Sequence, residues 1–213
     1  MTIERKGLLL ILSSPSGAGK TTLARALVNE DPNIAFSISV TTRPQRPQEI
    51  DGVHYHFVNT ATFDQMTQEG AFIETATVFG NKYGTPKSPL EKTLQQGLDM
   101  VFDIDWMGAH NITQAARSDV VSVFILPPSM AAQEQRLRTR SQDSEEIIQR
   151  RLAEASQEIS HWHEYDYVII NKDIQKSTET LKAILTSERL RTTRQTGLKT
   201  FVAKMTDQTP NKT

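Results

Sequence analysis

The sequence contains no cysteine among its 213 residues. That excludes disulfides and cysteine-ligated metal, and it fits a reducing compartment, the cytoplasm being the expected location. An excess of one charge is missing too. Lys+Arg number 24 against 25 Asp+Glu, a net charge of −1, so no overall basic field marks a binder of nucleic acid or of a membrane. No apolar run approaches the ~18–20 residues of a membrane span, and the apolar segment ahead of the first glycine loop is too short for a secretory signal. There is no internal repeat and no low-complexity tract. The expectation is a soluble, intracellular, single-domain protein with small-molecule partners, homo-oligomerisation being left open.

What is present centres on Ser13 to Thr22, Ser-Ser-Pro-Ser-Gly-Ala-Gly-Lys-Thr-Thr. It follows the apolar run Leu8–Leu12 and precedes a helical pattern through Leu23, Leu27 and Val28. Strand, glycine-rich loop and helix in that order are the context of a phosphate-binding P-loop. A loop that wraps a polyphosphate must turn several backbone N–H groups inward, and Gly17 and Gly19 permit that curvature. Ser14, Pro15, Ser16, Gly17, Ala18, Gly19, Lys20 and Thr21 form the expected ATP-binding loop. Lys20 would set a point charge on the β- and γ-phosphates, Thr21 would offer a hydroxyl to Mg²⁺, and the helix would present its positive end. Ser14 stands where the usual pattern has its first glycine.

Further along, Asp31-Pro32 stops the first helix. Phe36–Val40 and His54–Val58 alternate as half-exposed strands, expected to be antiparallel, around a turn-rich stretch holding Pro44 and Pro47. A short helix over Phe63–Glu69 ends at Gly70, and Phe72–Val78 reads as a strand. Ser88-Pro-Leu-Glu91 reads as a helix start with Ser88 as N-cap. Met100–Asp105 and Val120–Leu126 read as buried strands, with Pro127-Pro128 ending the second. A helical, arginine-bearing stretch runs from Ser129 to about Tyr165, in which Asp143 and Glu146 have capping-box spacing. Tyr167–Ile170 is the last strand, followed by a helix from about Ser177, and residues 205–213 read as a disordered tail.

This order predicts an α/β protein: a P-loop parallel sheet core flanked by helices, with an inserted mixed α/β lobe and a helical lid. The expected core is 1–35, 88–126 and 166–204, the lobe 36–87 and the lid 127–165. Ligands belong at the carboxyl ends of the strands, one insertion holding an acceptor and the other closing over the nucleotide. That is the plan of a nucleoside monophosphate kinase.

Five separated motifs then occur in order: the P-loop; Thr41-Thr-Arg-Pro-Gln-Arg46 with Glu49, Gly52 and Tyr55; Phe72-Ile-Glu74; Tyr83-Gly-Thr85; and Asp103-Ile-Asp-Trp-Met-Gly108. Together, from about Leu8 to Leu190, they closely resemble the guanylate kinases. The resemblance implies transfer of the γ-phosphoryl of ATP to GMP, with dGMP as an expected second acceptor, giving ADP and GDP with Mg²⁺, as part of purine nucleotide metabolism.

It also implies roles. Glu74 would accept from guanine N1–H and the 2-amino group, with Ser39, Thr85 and Asp105 as further guanine contacts. Arg43 and Arg46 would cradle the GMP phosphate, helped by Tyr55 and Tyr83, with Glu49 near the metal and the arginines. Asp103 would orient Mg²⁺-bound water or hold Lys20. Lys20, Arg43, Arg136, Arg140 and Arg151 would carry the catalytic charge. Arg138 and Arg150 lie on the same stretch, and not all five lid arginines can reach the site. No general base is needed, because the GMP phosphate is already anionic at neutral pH. His161 and His163, two apart on a helical stretch, face differently and are assigned to packing rather than metal. The chain departs from the family pattern at Ser14, at Met107, where glutamine is common, and at Ser141, where the lid often has glycine. Two other readings are carried: a catalytically inactive guanylate-kinase-like module that binds phosphopeptides, and a kinase for another nucleoside monophosphate.

Overall fold

The structure, a computed structural model, describes residues 3–78, 80–140 and 145–207, the side chains of Val78, Arg140 and Ile147 excepted. The capping box at Asp143 and the departure at Ser141 lie outside the described residues.

β1 (Leu9–Ser13) is buried at every position. Its alternate side chains feed two different cores, which explains a run without polar alternation. Leu8, Leu10 and Leu12 pack with Leu23, Ala24 and Leu27 of α1 (Lys20–Glu30) and with Leu181 and Leu185 of α7 (Ile174–Arg189). Leu9 and Ile11 pack on the opposite face with Leu90 and Leu94 of α3 (Lys87–Gln95) and with Ala109 and Ile112 of α4 (Trp106–Ala116). Each fully buried leucine of this kind contributes about 1.5–3 kcal/mol of apolar transfer.

The central sheet is parallel, with strand order β2 (Ile34–Phe36), β7 (Asp99–Asp103), β1, β8 (Val120–Leu126) and β9 (Tyr167–Ile170). A second, four-stranded sheet has the order β4 (His56–Phe57), β3 (Val40–Thr41), β6 (Asn81–Pro86) and β5 (Phe72–Val78). The short α2 (Thr60–Gln68), capped by Asn59, packs Phe63 against Phe72 beneath this sheet. After β8 come α5 (Met130–Arg140), α6 (Glu145–Ser160) and a 3₁₀ turn, His161–Glu164. The last element is α8 (Leu198–Asp207). Among the described residues no helix is long and apolar enough to cross a membrane.

Several expectations change. The alternation Phe36–Val40 is not one strand: Ile34–Phe36 completes the parallel sheet, with Ile34 in its core, and the chain crosses to the second sheet before Val40. β3 and β4 pair parallel, Val40 with His56 and Thr41 with Phe57. The long excursion between them returns the chain in the same direction, and β6 takes the antiparallel edge of β3 instead. β6 has no sequence signal, because Asn-Lys-Tyr-Gly-Thr-Pro is poor in strand formers and is held by its pairing to β5. α3 starts at Lys87, whose N–H donates to the Ala71 carbonyl at 2.9 Å, so Ser88 lies inside the helix and caps nothing. Asn59, Asp105 and Asp173 are N-caps that sequence reading passed over, accepting from Thr62 N (2.8 Å), Gly108 N (2.8 Å) and Lys176 N (2.9 Å). Met205–Asp207, read as tail, is helical, and residues 208–213 lie outside the description.

Candidate active site

The site lies at the carboxyl ends of β1 and β7, where a doubly wound sheet opens a crevice. Between β1 and α1, Ala18 N–H donates to the Pro15 carbonyl at 3.2 Å and closes the loop. Gly17 and Gly19 hold φ of 85° and 98°, left-handed values that a Cβ disfavours. Ser14 stays in the loop, its Oγ donating to the Pro15 carbonyl at 3.1 Å.

Lys20 and Thr21 open α1 and reach the end of β7. Lys20 Nζ is 2.9 Å from Asp103 Oδ1 and donates to the Ile104 carbonyl at 2.7 Å, and Thr21 Oγ1 donates to Asp103 Oδ2 at 2.5 Å. Burial pushes the Asp103 carboxyl up, but the Lys20 charge and the bonds from Thr21 and Lys20 outweigh it, so Asp103 stays ionised below its usual range. An ionised carboxylate beside a hydroxyl is an all-oxygen donor set, the kind a hard divalent cation takes. These two residues fit Mg²⁺.

Across the crevice the second sheet contributes two adjoining cavities. The larger, about 550 Å³, has Thr21 and Asp103 on one wall and Ser39, Arg46, Glu49 and Tyr55 on the other. The smaller, about 200 Å³, lies between Ser39, Tyr55, Glu74, Tyr83, Asp105 and Gly108. Arg46 lines the larger cavity, and Arg43 contacts two other residues of its lining, Glu49 and Tyr55. Arg43 Nη2 is 2.7 Å from Glu49 Oε1, and its guanidinium rests over the rings of Tyr55 and Phe57, at 5.4 and 5.7 Å. Glu49 also accepts from Arg46 N at 2.9 Å. The bond from Arg43 brings its carboxyl below the usual range, over a smaller opposing effect of burial. Tyr55 and Tyr83 meet edge to face at 6.0 Å.

Glu74 is buried, and Thr85 Oγ1 donates to its Oε1 at 2.7 Å. Its Oε2 is buried with no hydrogen-bond partner. Burial drives the Glu74 carboxyl up, the Thr85 bond only partly offsetting this, and the Asp105 charge adds to the rise. A desolvated acceptor left unpaired costs about 1–3 kcal/mol, so this pocket favours a ligand that brings donors.

The helical insert reaches the loop from behind. Gln133 Nε2 donates to the Ser16 carbonyl at 2.8 Å, and Arg136 donates to the carbonyls of Ala18 (3.4 Å) and Asn171 (3.1 Å). Arg151 sits half-buried on α6; Arg140 ends α5, and its side chain is not described. Arg138 and Arg150 turn outward, Arg138 to Glu134 and Glu145 and Arg150 to Glu154. His161 stacks on Trp106 at 4.0 Å and bonds Glu164 at 2.6 Å.

Four residues here had no place in the sequence reading: Arg25, Gln133, Glu158 and Asn171. Arg25 follows Thr21 by one helical turn and lines the larger cavity, a position its i+4 spacing could have given. Glu158, on α6, faces Ser16 N–H and the charges of Lys20 and Asp105, and burial raises its carboxyl above the usual range. Gln133 and Asn171 come from distant segments, and no local signal points to them.

A phosphate loop, a cation-ready carboxylate and a facing pocket with a buried, unpaired acceptor define a P-loop phosphotransferase that holds two substrates. The guanylate kinase family model matches residues 6–188. A guanylate kinase of Paramagnetospirillum magneticum is 52% identical over 96% of this chain and 95% of its own, and that of Sphingopyxis alaskensis is 53% identical over 98% and 95%. The crystal structure of guanylate kinase from Anaplasma phagocytophilum superposes with a TM-score of 0.78 at 39% identity, covering 95% of this chain and 96% of that one. The chain belongs to the guanylate kinase family.

Proposed function

We propose that the chain transfers the γ-phosphoryl of ATP to GMP, giving ADP and GDP, with dGMP as a second acceptor. The observation that carries the choice of acceptor is Glu74, buried, with Oε1 satisfied by Thr85 and Oε2 unpaired beside the small cavity. Guanine offers two adjacent donors, N1–H and the 2-amino group, whereas adenine presents an acceptor at N1. A pocket that must satisfy a buried carboxylate selects the first and rejects the second.

Each group has a task in this reading. The P-loop amides and Lys20 hold the β- and γ-phosphates of ATP. Arg43 and Arg46 hold the GMP phosphate with help from Tyr55 and Tyr83, and Glu49 keeps the two arginines in place. Ser39, Thr85 and Asp105 complete the guanine pocket, Asp105 also capping α4. Thr21 and Asp103 would hold Mg²⁺, which when bound neutralises charge on the transferring phosphoryl group. The 127–165 insert acts as the lid; Arg136, Arg140 and Arg151 supply positive charge over the phosphates and closure excludes water. With an anionic acceptor, positioning and charge neutralisation suffice. The cytoplasm, where both nucleotides are made and used, is the site of action.

The test is ADP formation from ATP and Mg²⁺ with GMP, AMP, UMP or dTMP as acceptor, Lys20→Ala being the control. Lys20-dependent turnover with GMP and not with the others is expected. Equal turnover with AMP, or none with any acceptor from folded protein, would overturn the reading.

A further inference from the structure

The P-loop is clamped from outside by a residue that its own motif does not contain. β9 runs straight into Asn171, which is fully buried and fixed by its backbone N–H donating to the Leu126 carbonyl at 2.8 Å. Its side chain is used at both ends. Nδ2 donates to the Ala18 carbonyl at 2.8 Å, and Oδ1 accepts from Ser177 Oγ, in the first turn of α7, at 3.0 Å. The amide cannot be reversed, because that would set two acceptor oxygens against each other at Ala18. Ser177 is itself only 4% exposed, so water does not compete for the arrangement.

Two further contacts converge on the same place. Arg136 bridges the carbonyls of Ala18 and Asn171. A Cβ on Gly19 would lie 2.5 Å from Asn171 Nδ2, so the glycine and the asparagine are fitted as a pair. The Ala18–Gly19 peptide unit is planar and trans, so its C=O and N–H point in opposite directions. Holding the Ala18 carbonyl toward Asn171 turns the Gly19 N–H to the other side, away from the clamp.

From this geometry we infer that Asn171 is a positioning residue for the phosphoryl donor: with Ser177 behind it, it sets the Ala18–Gly19 peptide so that the loop amides meet the ATP phosphates. Arg136 grips the same carbonyl from the lid, which ties loop and lid through one acceptor. Asn171 has no role at the acceptor cavities, whose linings do not include it. The effect of losing it therefore falls on ATP and spares GMP. The inference rests on the reading of the P-loop as the ATP site.

The test uses Asn171→Asp, which keeps the shape but offers no N–H to Ala18, and Ser177→Ala, which only frees the amide. Turnover gives KM for each nucleotide, and calorimetry gives the affinity for ATP whether or not turnover occurs. Asn171→Asp is expected to raise KM and Kd for ATP about tenfold or more, leaving KM for GMP within about twofold, and Ser177→Ala to follow in the same direction with about a threefold rise. Unchanged ATP affinity, or equal rises for ATP and GMP as general loosening of the fold would give, overturns the inference. Should Asn171→Asp not fold, Ser177→Ala decides on the same criterion. A wild type that binds ATP but phosphorylates no GMP would instead strike the proposed function and leave the ATP comparison standing.

Discussion

At the phosphate loop the reactive groups are matched to one another before any nucleotide arrives: Lys20 sits on Asp103, Thr21 bonds the same carboxylate, and the loop carbonyls are taken by Gln133, Asn171 and Arg136. Across the crevice the reverse holds. Glu74 keeps one oxygen buried and unpaired, with the charge of Asp105 working against its ionisation. A nucleotide arriving at the first place must replace contacts that already exist, whereas one arriving at the second relieves a cost already present. In the proposed function the donor end is thus built for shape and charge placement, and the acceptor end for discrimination, since only a ligand with the right donors gains there.

Removing Lys20 should break the donor half altogether. Lys20→Ala is expected to lower turnover by about 10³-fold or more, as loss of a phosphate-stabilising charge does in such enzymes, while GMP affinity measured by calorimetry stays near wild type. At the acceptor half the two arginines should separate. Arg46→Gln, at the cavity wall, should raise KM for GMP about a hundredfold with little change in melting temperature. Arg43→Gln should also lower the melting temperature, because it strips Glu49 of its partner and the rings of Tyr55 and Phe57 of their cover.

Glu74 sharpens the contrast through pH. Its carboxyl is raised in the folded state, so the folded chain binds this proton more tightly than the unfolded chain does. Stability is then lost as pH rises from the unfolded value, about 4.5, through the raised folded value. Glu74→Gln removes that loss. The variant without nucleotide should melt higher than wild type at pH 8, and the difference should shrink as the pH is lowered toward 4.5. Asp103 has the opposite sign: its contribution is fully present above its unfolded value and is lost only in acid, as pH falls through the lowered folded one. The smallest effect belongs to Arg150, an exposed side chain whose Nε lies 3.8 Å from Glu154. Arg150→Gln should change stability by no more than about 0.5 kcal/mol and leave both KM values unaltered.

How much of this was legible follows from the range of the interactions. β1, the loop and α1 are adjacent in sequence and declare themselves by periodicity and glycine. β5, β8 and β9 were read with their observed bounds, because each is an apolar or alternating run with clear punctuation. β6 and the parallel pairing of β3 with β4 were not. Asn81–Pro86 has too few strand formers to stand out from a turn-rich stretch although its partner β5 is next to it in sequence, and β3 meets β4 only after the intervening excursion. The motif residues of the acceptor pocket came from family resemblance, and the cavities now bring Ser39, Arg46, Glu49, Tyr55, Glu74, Tyr83 and Asp105 together. That Arg43 rests on the Tyr55 ring, that Arg138 and Arg150 face outward, and that Asn171 reaches Ala18 across more than 150 residues are consequences of tertiary packing. Hydrophobic patterning does not encode them.

The most direct test of the acceptor account is the ratio of kcat/KM for GMP to that for AMP, measured for wild type and for Glu74→Gln with ATP saturating. A large ratio in the wild type should fall about a hundredfold or more in the variant, through loss with GMP and not through gain with AMP. A ratio that Glu74→Gln leaves unchanged would contradict it, and would mean that guanine is chosen elsewhere in the pocket.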